Sequence, residues 1–185
     1  MKNSEFITDR VPITKEEVRA ICLSKLDIYN AKQFLDIGSG TGSVTVEAAI
    51  KNCGLNVYSI EVDDRAYELT EKNIEKFNLK NVTQIKDIAP VDFCFDKRFD
   101  SIFVGGSKNN LEEIIEWSYG IMNDGGKIVL TFILIENLYR CIESLNNSMF
   151  REIEVSQVSV SKMEKLGKGH YFKPENPIFI VSAIK

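Results

Sequence analysis

Three glycines at alternate positions, within Leu35-Asp36-Ile37-Gly38-Ser39-Gly40-Thr41-Gly42, and an acid, Glu61, 23 residues beyond the first of them carry the clearest chemical signal in this chain. Glycine takes backbone angles closed to other residues and brings no side chain, so a ligand can lie against the peptide groups. Free amides in such a turn, followed by a helix N-terminus, favour a negatively charged group. An acid roughly 20 residues further on is where a carboxylate meets the two hydroxyls of a ribose. The glycines alone could merely close a tight strand-to-helix connection; together with Glu61 they point to a nucleoside site. A dinucleotide fold would want G-x-G-x-x-G, but position 43 is Ser43, which turns the reading away from a nicotinamide cofactor.

Such a site needs a strand before the turn and a helix after it. Residues 33–37 read as a short apolar strand, and Val44, Val46, Ala48, Ala49 and Ile50 mark a buried helix. A second strand over 56–60 ends at Glu61, followed by a helix over 64–77 and a third strand over 82–86. A fourth strand over 99–104, a helix over 111–119, a fifth strand over 126–131 and a helix over 136–147 follow. This alternation predicts an α/β fold with a parallel doubly wound sheet, whose ligands bind beyond the carboxyl ends of the strands. Ahead of it, Thr14-Lys15-Glu16-Glu17 has the form of a capping box, which predicts a helix from Thr14 to about Asp27 with Val18, Ile21 and Cys22 on one face. Residues 151–161 and 178–184 read as two strands joined by a loop, an antiparallel pair at the sheet edge.

A chain of 185 residues has room for a single domain. The composition, 44% hydrophobic and 27% charged, excludes a disordered chain. Net charge −4 removes the footprint of a general nucleic-acid binder. No apolar run approaches the roughly 20 residues needed to span a bilayer, and no secretory segment opens the sequence, so a cytoplasmic location is expected. Cys22, Cys53, Cys94 and Cys141 lie far apart, with none of the close spacing of a zinc site, and are expected as buried reduced thiols with no metal bound.

The glycine motif and Glu61 resemble those of the class I S-adenosylmethionine-dependent methyltransferases. That resemblance implies a Rossmann-like fold, with a seven-stranded mostly parallel sheet, an antiparallel C-terminal strand and helices on both faces. It implies S-adenosylmethionine as cofactor, held by Asp36, Gly38, Ser39, Gly40, Thr41 and Gly42, with Glu61 on the ribose and Asp87-Ile88-Ala89 bordering the adenine. Many such enzymes carry an acid where this chain has Ile88, so either the backbone of Ile88 and Ala89 or the side chain of Asp87 meets the adenine.

Three further segments, Val11 to Ala20, Phe103-Val104-Gly105-Gly106-Ser107, and Gly169-His170-Tyr171-Phe172 with Asn176-Pro177-Ile178, together resemble the decarboxylating cobalt-precorrin-6B C15-methyltransferases of cobalamin biosynthesis. The family implies methylation at C15 and decarboxylation of the C12 acetate of a tetrapyrrole, Thr14 beside the cofactor, a homotetramer, and functional pairing with the C5-methyltransferase of the same pathway. Gly105-Gly106-Ser107 stands where amine-methylating enzymes carry D/N-P-P-Y, so no amine clamp is present. Bare amides there leave room for a large flat ligand. Its carboxylates would need cations, and Lys162, Lys165, Lys168 and Lys173 gather around a single acid, Glu164, with Lys168 and Lys173 as candidate substrate contacts. His170, the only histidine, could move a proton or bind a carboxylate; a structural or surface role is the other reading. A methyltransferase for another small molecule or RNA, and a module that binds S-adenosylmethionine without turnover, remain as alternatives.

Overall fold

A computed structural model describes residues 1–93 and 98–185; Cys94 lies outside the described residues. Seven strands form one sheet: β1 Gln33–Ile37, β2 Asn56–Ile60, β3 Val82–Ile85, β4 Phe99–Val104, β5 Met122–Phe132, β6 Arg151–Val158 and β9 Ile178–Ile184. Their spatial order is β3-β2-β1-β4-β5-β9-β6. Only β9 runs antiparallel to its neighbours, against β5 on one side and β6 on the other. Strand order reverses between β1 and β4, and both the glycine turn after β1 and Gly105-Gly106 after β4 open at that point.

Alternation along each strand separates two cores. Leu35, Ile37, Ile102, Val104, Ile128 and Leu130 face one cluster, while Phe34, Phe103, Val129 and Ile180 face the other. Helices α4 (Leu111–Ile121) and α5 (Ile135–Asn146) close the first face through Leu111, Ile114, Ile115, Cys141 and Leu145. Helices α1 (Glu16–Lys25) and α2 (Ser43–Lys51) close the second through Val18, Cys22, Val44, Ala48 and Ala49. Helix α3 (Asp64–Lys76) lies beside α2 and begins at Asp63, whose carboxylate accepts from the Ala66 amide at 3.0 Å.

Several boundaries differ from the sequence reading. The expected capping box does not form: the N-cap of α1 is Lys15, and Thr14 lies one residue outside the helix. Its carbonyl is claimed by Arg19, whose fully buried guanidinium donates to it at 2.7 Å and also pairs with Glu47 at 2.6 Å. The stretch expected as a loop between β6 and β9 is instead a hairpin, β7 (Ser161–Leu166) and β8 (Gly169–Pro174), forming its own two-stranded sheet. Leu166-Gly167-Lys168-Gly169, with Gly167 at φ +60, is the turn that signals it. Strand β5 starts four residues before Gly126. The end of the chain pairs there, with Gly125 donating to Lys185 and Lys185 to Gly126. Cys53 is exposed, not buried; burial pushes the Cys22 and Cys141 thiols up to about 12, so neither is a nucleophile at neutral pH. No described helix is long and apolar enough to cross a membrane.

Candidate active site

The turn after β1 is built by close backbone packing. Gly38 has φ +71, and a Cβ there would stand 2.7 to 2.9 Å from the backbone of Gly106, so the ends of β1 and β4 touch main chain to main chain. Gly42, at φ +72, would drive a Cβ to 2.7 Å from Thr70 of α3. Glycine at 38 and 42 is therefore demanded by the protein's own packing, a role that sequence spacing could not distinguish from ligand approach.

Most of the turn's amides are also engaged. Gly38 and Ser39 donate to the Ile60 carbonyl at 2.9 and 3.3 Å, and Gly42 donates to Ser39. The Gly40 amide donates to Glu61 Oε2 at 2.9 Å, and the Val62 and Asp63 amides donate to Glu61 Oε1 at the same distance. The expected row of free amides is thus largely consumed. What the turn presents instead is a carboxylate, nearly buried, with both oxygens oriented by backbone donors.

Glu61 borders two openings. A cleft of about 980 Å³ is lined by residues 10–15, by Gly38, Ser39 and Gly40, by residues 103–108, by residues 131–134 at the end of β5, and by Glu175, Asn176 and Ile178. A slot of about 130 Å³ is lined by Ile60, Val62, Asp87, Ile88, Ala89 and Ile114. Gly38, Glu61, Gly106, Ser107 and Lys108 line both. The slot is mostly apolar; the Ile88 amide is taken by Asp87 Oδ1 at 2.7 Å.

The structure brings Thr14, Gly38, Ser39, Gly40, Glu61, Gly105, Gly106 and Ser107 to the cleft and Asp87, Ile88 and Ala89 to the slot. Asp36, Thr41 and Gly42 line neither. Asp36 lies fully buried behind the turn, where its Oδ2 accepts from the amide and hydroxyl of Thr45 at 3.0 and 2.5 Å. Burial outweighs those bonds and pushes its carboxyl up to about 7. The Thr41 carbonyl accepts from Asn73 of α3 at 2.8 Å. Asn73 also donates to the Ile7 carbonyl and accepts from the Ile7 amide, both at 2.9 Å, so it ties the turn to the N-terminal strap that forms one cleft wall.

His170, Lys168 and Lys173 line neither opening. They lie on the β7–β8 hairpin, where Lys173 pairs with Glu164 at 3.2 Å and His170 stands opposite Lys165. The cations that do line the cleft, Arg10, Lys15 and Lys108, were missed because no other cation stands beside any of them in the sequence and only the fold gathers them.

Residues 4–185 match the model of the precorrin methyltransferase domain family. The chain belongs to that family. It is 38% identical, over all of its own length and 96% of the relative's, to the cobalt-precorrin-6B C(15)-methyltransferase (decarboxylating) of Salmonella typhimurium. A precorrin-6y C5,15-methyltransferase from Geobacter metallireducens superposes with a TM-score of 0.92 at 32% identity, covering 100% of this chain and 97% of that one. A precorrin 8W decarboxylase from Methanobacterium thermoautotrophicum does so with a TM-score of 0.91 at 29% identity, covering 99% and 98%. This precorrin methyltransferase homologue therefore has the class I methyltransferase architecture expected of its sequence.

Proposed function

We propose that the protein transfers a methyl group from S-adenosylmethionine to C15 of cobalt-precorrin-6B and removes the C12 acetate carboxyl as carbon dioxide, within cobalamin biosynthesis. The observation that carries this reading is the end-to-end match to a relative whose name states both reactions.

The residues fit the cofactor. Glu61, oriented by three amides and exposed to both openings, suits a pair of ribose hydroxyls; the slot beside it suits an adenine; and the cleft floor of Gly38 to Gly40 suits the methionine end. Ser39 Oγ is buried without a partner among the described residues, a donor left for a ligand. With the Ile88 amide already used, the Asp87 carboxylate is the group that meets the adenine amine. The sulfonium supplies an activated methyl. The protein's task is to align the acceptor carbon behind it and to exclude water. Glu61, Ser39 and the Gly38 to Gly40 floor would hold the cofactor as it gives that methyl to the acceptor carbon and keeps the carbon–sulfur electron pair. On the acceptor, loss of the acetate carboxyl returns an electron pair to the conjugated ring, and the proton that completes the C12 methyl group is balanced by the one C15 gives up on methylation. No strong base is needed.

The chain acts as a homotetramer in this reading. Support comes from the hairpin, which buries almost nothing in one chain: Met163, Leu166 and Phe172 are 64%, 68% and 70% exposed. His170, Lys168 and Lys173, turned away from their own cleft, would serve an acceptor only across a subunit boundary. Pairing with the C5-methyltransferase and a cytoplasmic location complete the proposal.

Incubation with labelled S-adenosylmethionine and cobalt-precorrin-6B should yield a product heavier by one methyl and lighter by carbon dioxide. Turnover only on another acceptor, or none, would overturn it. Glu61→Ala should weaken cofactor binding by about 1–3 kcal/mol in a calorimetric titration.

A further inference from the structure

Six charged side chains line the cleft: Arg10, Lys15, Lys108, Glu61, Asp63 and Glu175. Four are occupied. Glu61 is held by three backbone amides, Asp63 caps α3, and Lys15 pairs with Glu175 at 3.4 Å while also donating to the Asn176 carbonyl. Arg10 and Lys108 have neither a hydrogen bond nor an ion pair among the described residues. Arg10 and Lys108 are thus the charged side chains of the cleft without a partner among the described residues, whereas Glu61 and Asp63 keep their charge but are held in place by backbone amides.

Backbone conformation marks the same two residues, with Glu152 of β6 as a third that lies outside the cleft. Non-glycine residues with positive φ are Asp9, Arg10, Asp27, Asn78, Lys108 and Glu152 among those described. Asp and Asn tolerate this region because their short side chains bond locally, which leaves Arg10 at φ +65, Lys108 at φ +46 and Glu152. Such a conformation costs about 1–3 kcal/mol and persists where the surroundings impose it, which tends to be at ligand sites. The surroundings here are firm. The strap carrying Arg10 is pinned at Ile7 by Asn73 and at Thr14 by Arg19, both side chains fully buried, and Asp9 pairs with Arg65 at 3.0 Å. The loop carrying Lys108 is closed by the Asn110 amide on Ser107 at 2.9 Å, and the Asn110 side chain donates to Ala89 at 3.3 Å.

We propose that Arg10 and Lys108, presented from the strap and from the β4–α4 loop, form a two-point clamp for carboxylates of the methyl acceptor. The chemical class is a flat apolar ring carrying several acidic arms. The exposed lip of Ile133 and Leu134, each 57% exposed, supplies the apolar contact and the two cations the polar ones. Arginine engages a carboxylate through its planar fork and lysine as a point charge, so the two can hold different arms of one ring. This assignment rests on the reading of the cleft as a methyl-transfer site.

The test uses glycine, which removes the charge and relaxes the backbone at once. Arg10→Gly and Lys108→Gly should each raise the acceptor KM about tenfold, the loss expected for one charge-assisted bond. Melting temperature should stay at or above that of the parent, an outcome that a merely structural role would reverse. Arg10→Lys and Lys108→Arg should recover most of the lost affinity. A second arm needs no turnover: titration with uroporphyrin, a ring of eight carboxylates, in the presence of S-adenosylhomocysteine should show the same weakening and a shallower salt dependence in each glycine variant. Unchanged acceptor KM and unchanged uroporphyrin affinity would overturn the clamp while leaving the proposed activity standing. A weakened affinity for S-adenosylmethionine with acceptor KM unchanged would assign the cations to the cofactor's own carboxylate and would also overturn it. Clamp-dependent uroporphyrin binding without turnover of cobalt-precorrin-6B would uphold the clamp and reject the reaction.

Discussion

The carboxyl end of the sheet and the β7–β8 hairpin solve opposite problems. Around the glycine turn most backbone groups are spoken for, amides by Ile60 and Glu61, carbonyls by Thr70 and Asn73, and the start of α2 by Asp36, while the Ser39 and Thr41 hydroxyls have no partner among the described residues. Backbones approach so closely there that Gly38 has no room for a methyl group. The hairpin has its own cross-strand ladder but places Met163, Leu166 and Phe172 in solvent. One region is stabilised from within the chain; the other touches the body through little beyond the Lys162–Glu17 ion pair at 3.7 Å and presents apolar surface suited to a neighbour. Substitutions in the first region should therefore register in folding, and those in the second in association.

Gly38→Ala should have the largest effect. The left-handed backbone costs about 1–2 kcal/mol with a Cβ, and overpacking against Gly106 adds about 1–3 kcal/mol. Denaturant unfolding should show the sum, with loss of cofactor binding; a variant as stable as the parent would mean that the two strand ends do not touch.

Asp36 offers a test with a sign. Its carboxyl is held at about 7 against an ordinary 3.8, chiefly by burial. The folded state therefore binds its proton more tightly than the unfolded state does. Stability from this group is fully present below about pH 4 and is lost as pH rises through 7. At about 1.4 kcal/mol per pH unit across that window the loss is on the order of 4–5 kcal/mol. Asp36→Asn, which stays neutral and can still accept from Thr45, should flatten the dependence of melting temperature on pH and gain on the parent at pH 8. Parallel curves for the two proteins would remove Asp36 as the source.

Thr70→Val deletes the 2.9 Å bond to the Gly40 carbonyl while keeping the bulk that meets Gly42, and should cost about 1 kcal/mol in unfolding. Smallest of all should be Met163→Ser with Phe172→Ser. Unfolding of the isolated chain should move by no more than about 0.5 kcal/mol, as for exposed positions generally, while sedimentation should show a smaller assembly. An unchanged assembly would show that the hairpin is not the contact.

Legibility followed the same division. The elements within residues 33–86 and the strand over 99–104 could be read nearly to the residue because each strand there is short and bounded by its own turn or cap, so local preference and tertiary role agree. Glu61 was legible because its offset from Gly38 follows from the length of one helix and one strand. Thr14 was misread as a cap since its hydroxyl is well suited to one, yet Lys15 is the N-cap, the helix starts at Glu16, and the Thr14 carbonyl accepts from the buried Arg19. The segment 161–174 turns at Gly167-Lys168, but it has no clean polar–apolar alternation and its density of lysines reads as charge instead of pairing.

From the sequence alone came the alternating α/β order, the glycine turn, the acid that faces it and the family resemblance, because these depend on residues near one another along the chain. The tertiary structure decided that Gly38 is needed by Gly106, that Asp36 sits behind the site and not in it, and that Arg10 and Lys108 share one cleft across almost a hundred intervening residues. Charge and close approach act through space, and a linear pattern carries no distances between parts of the chain that only folding brings together.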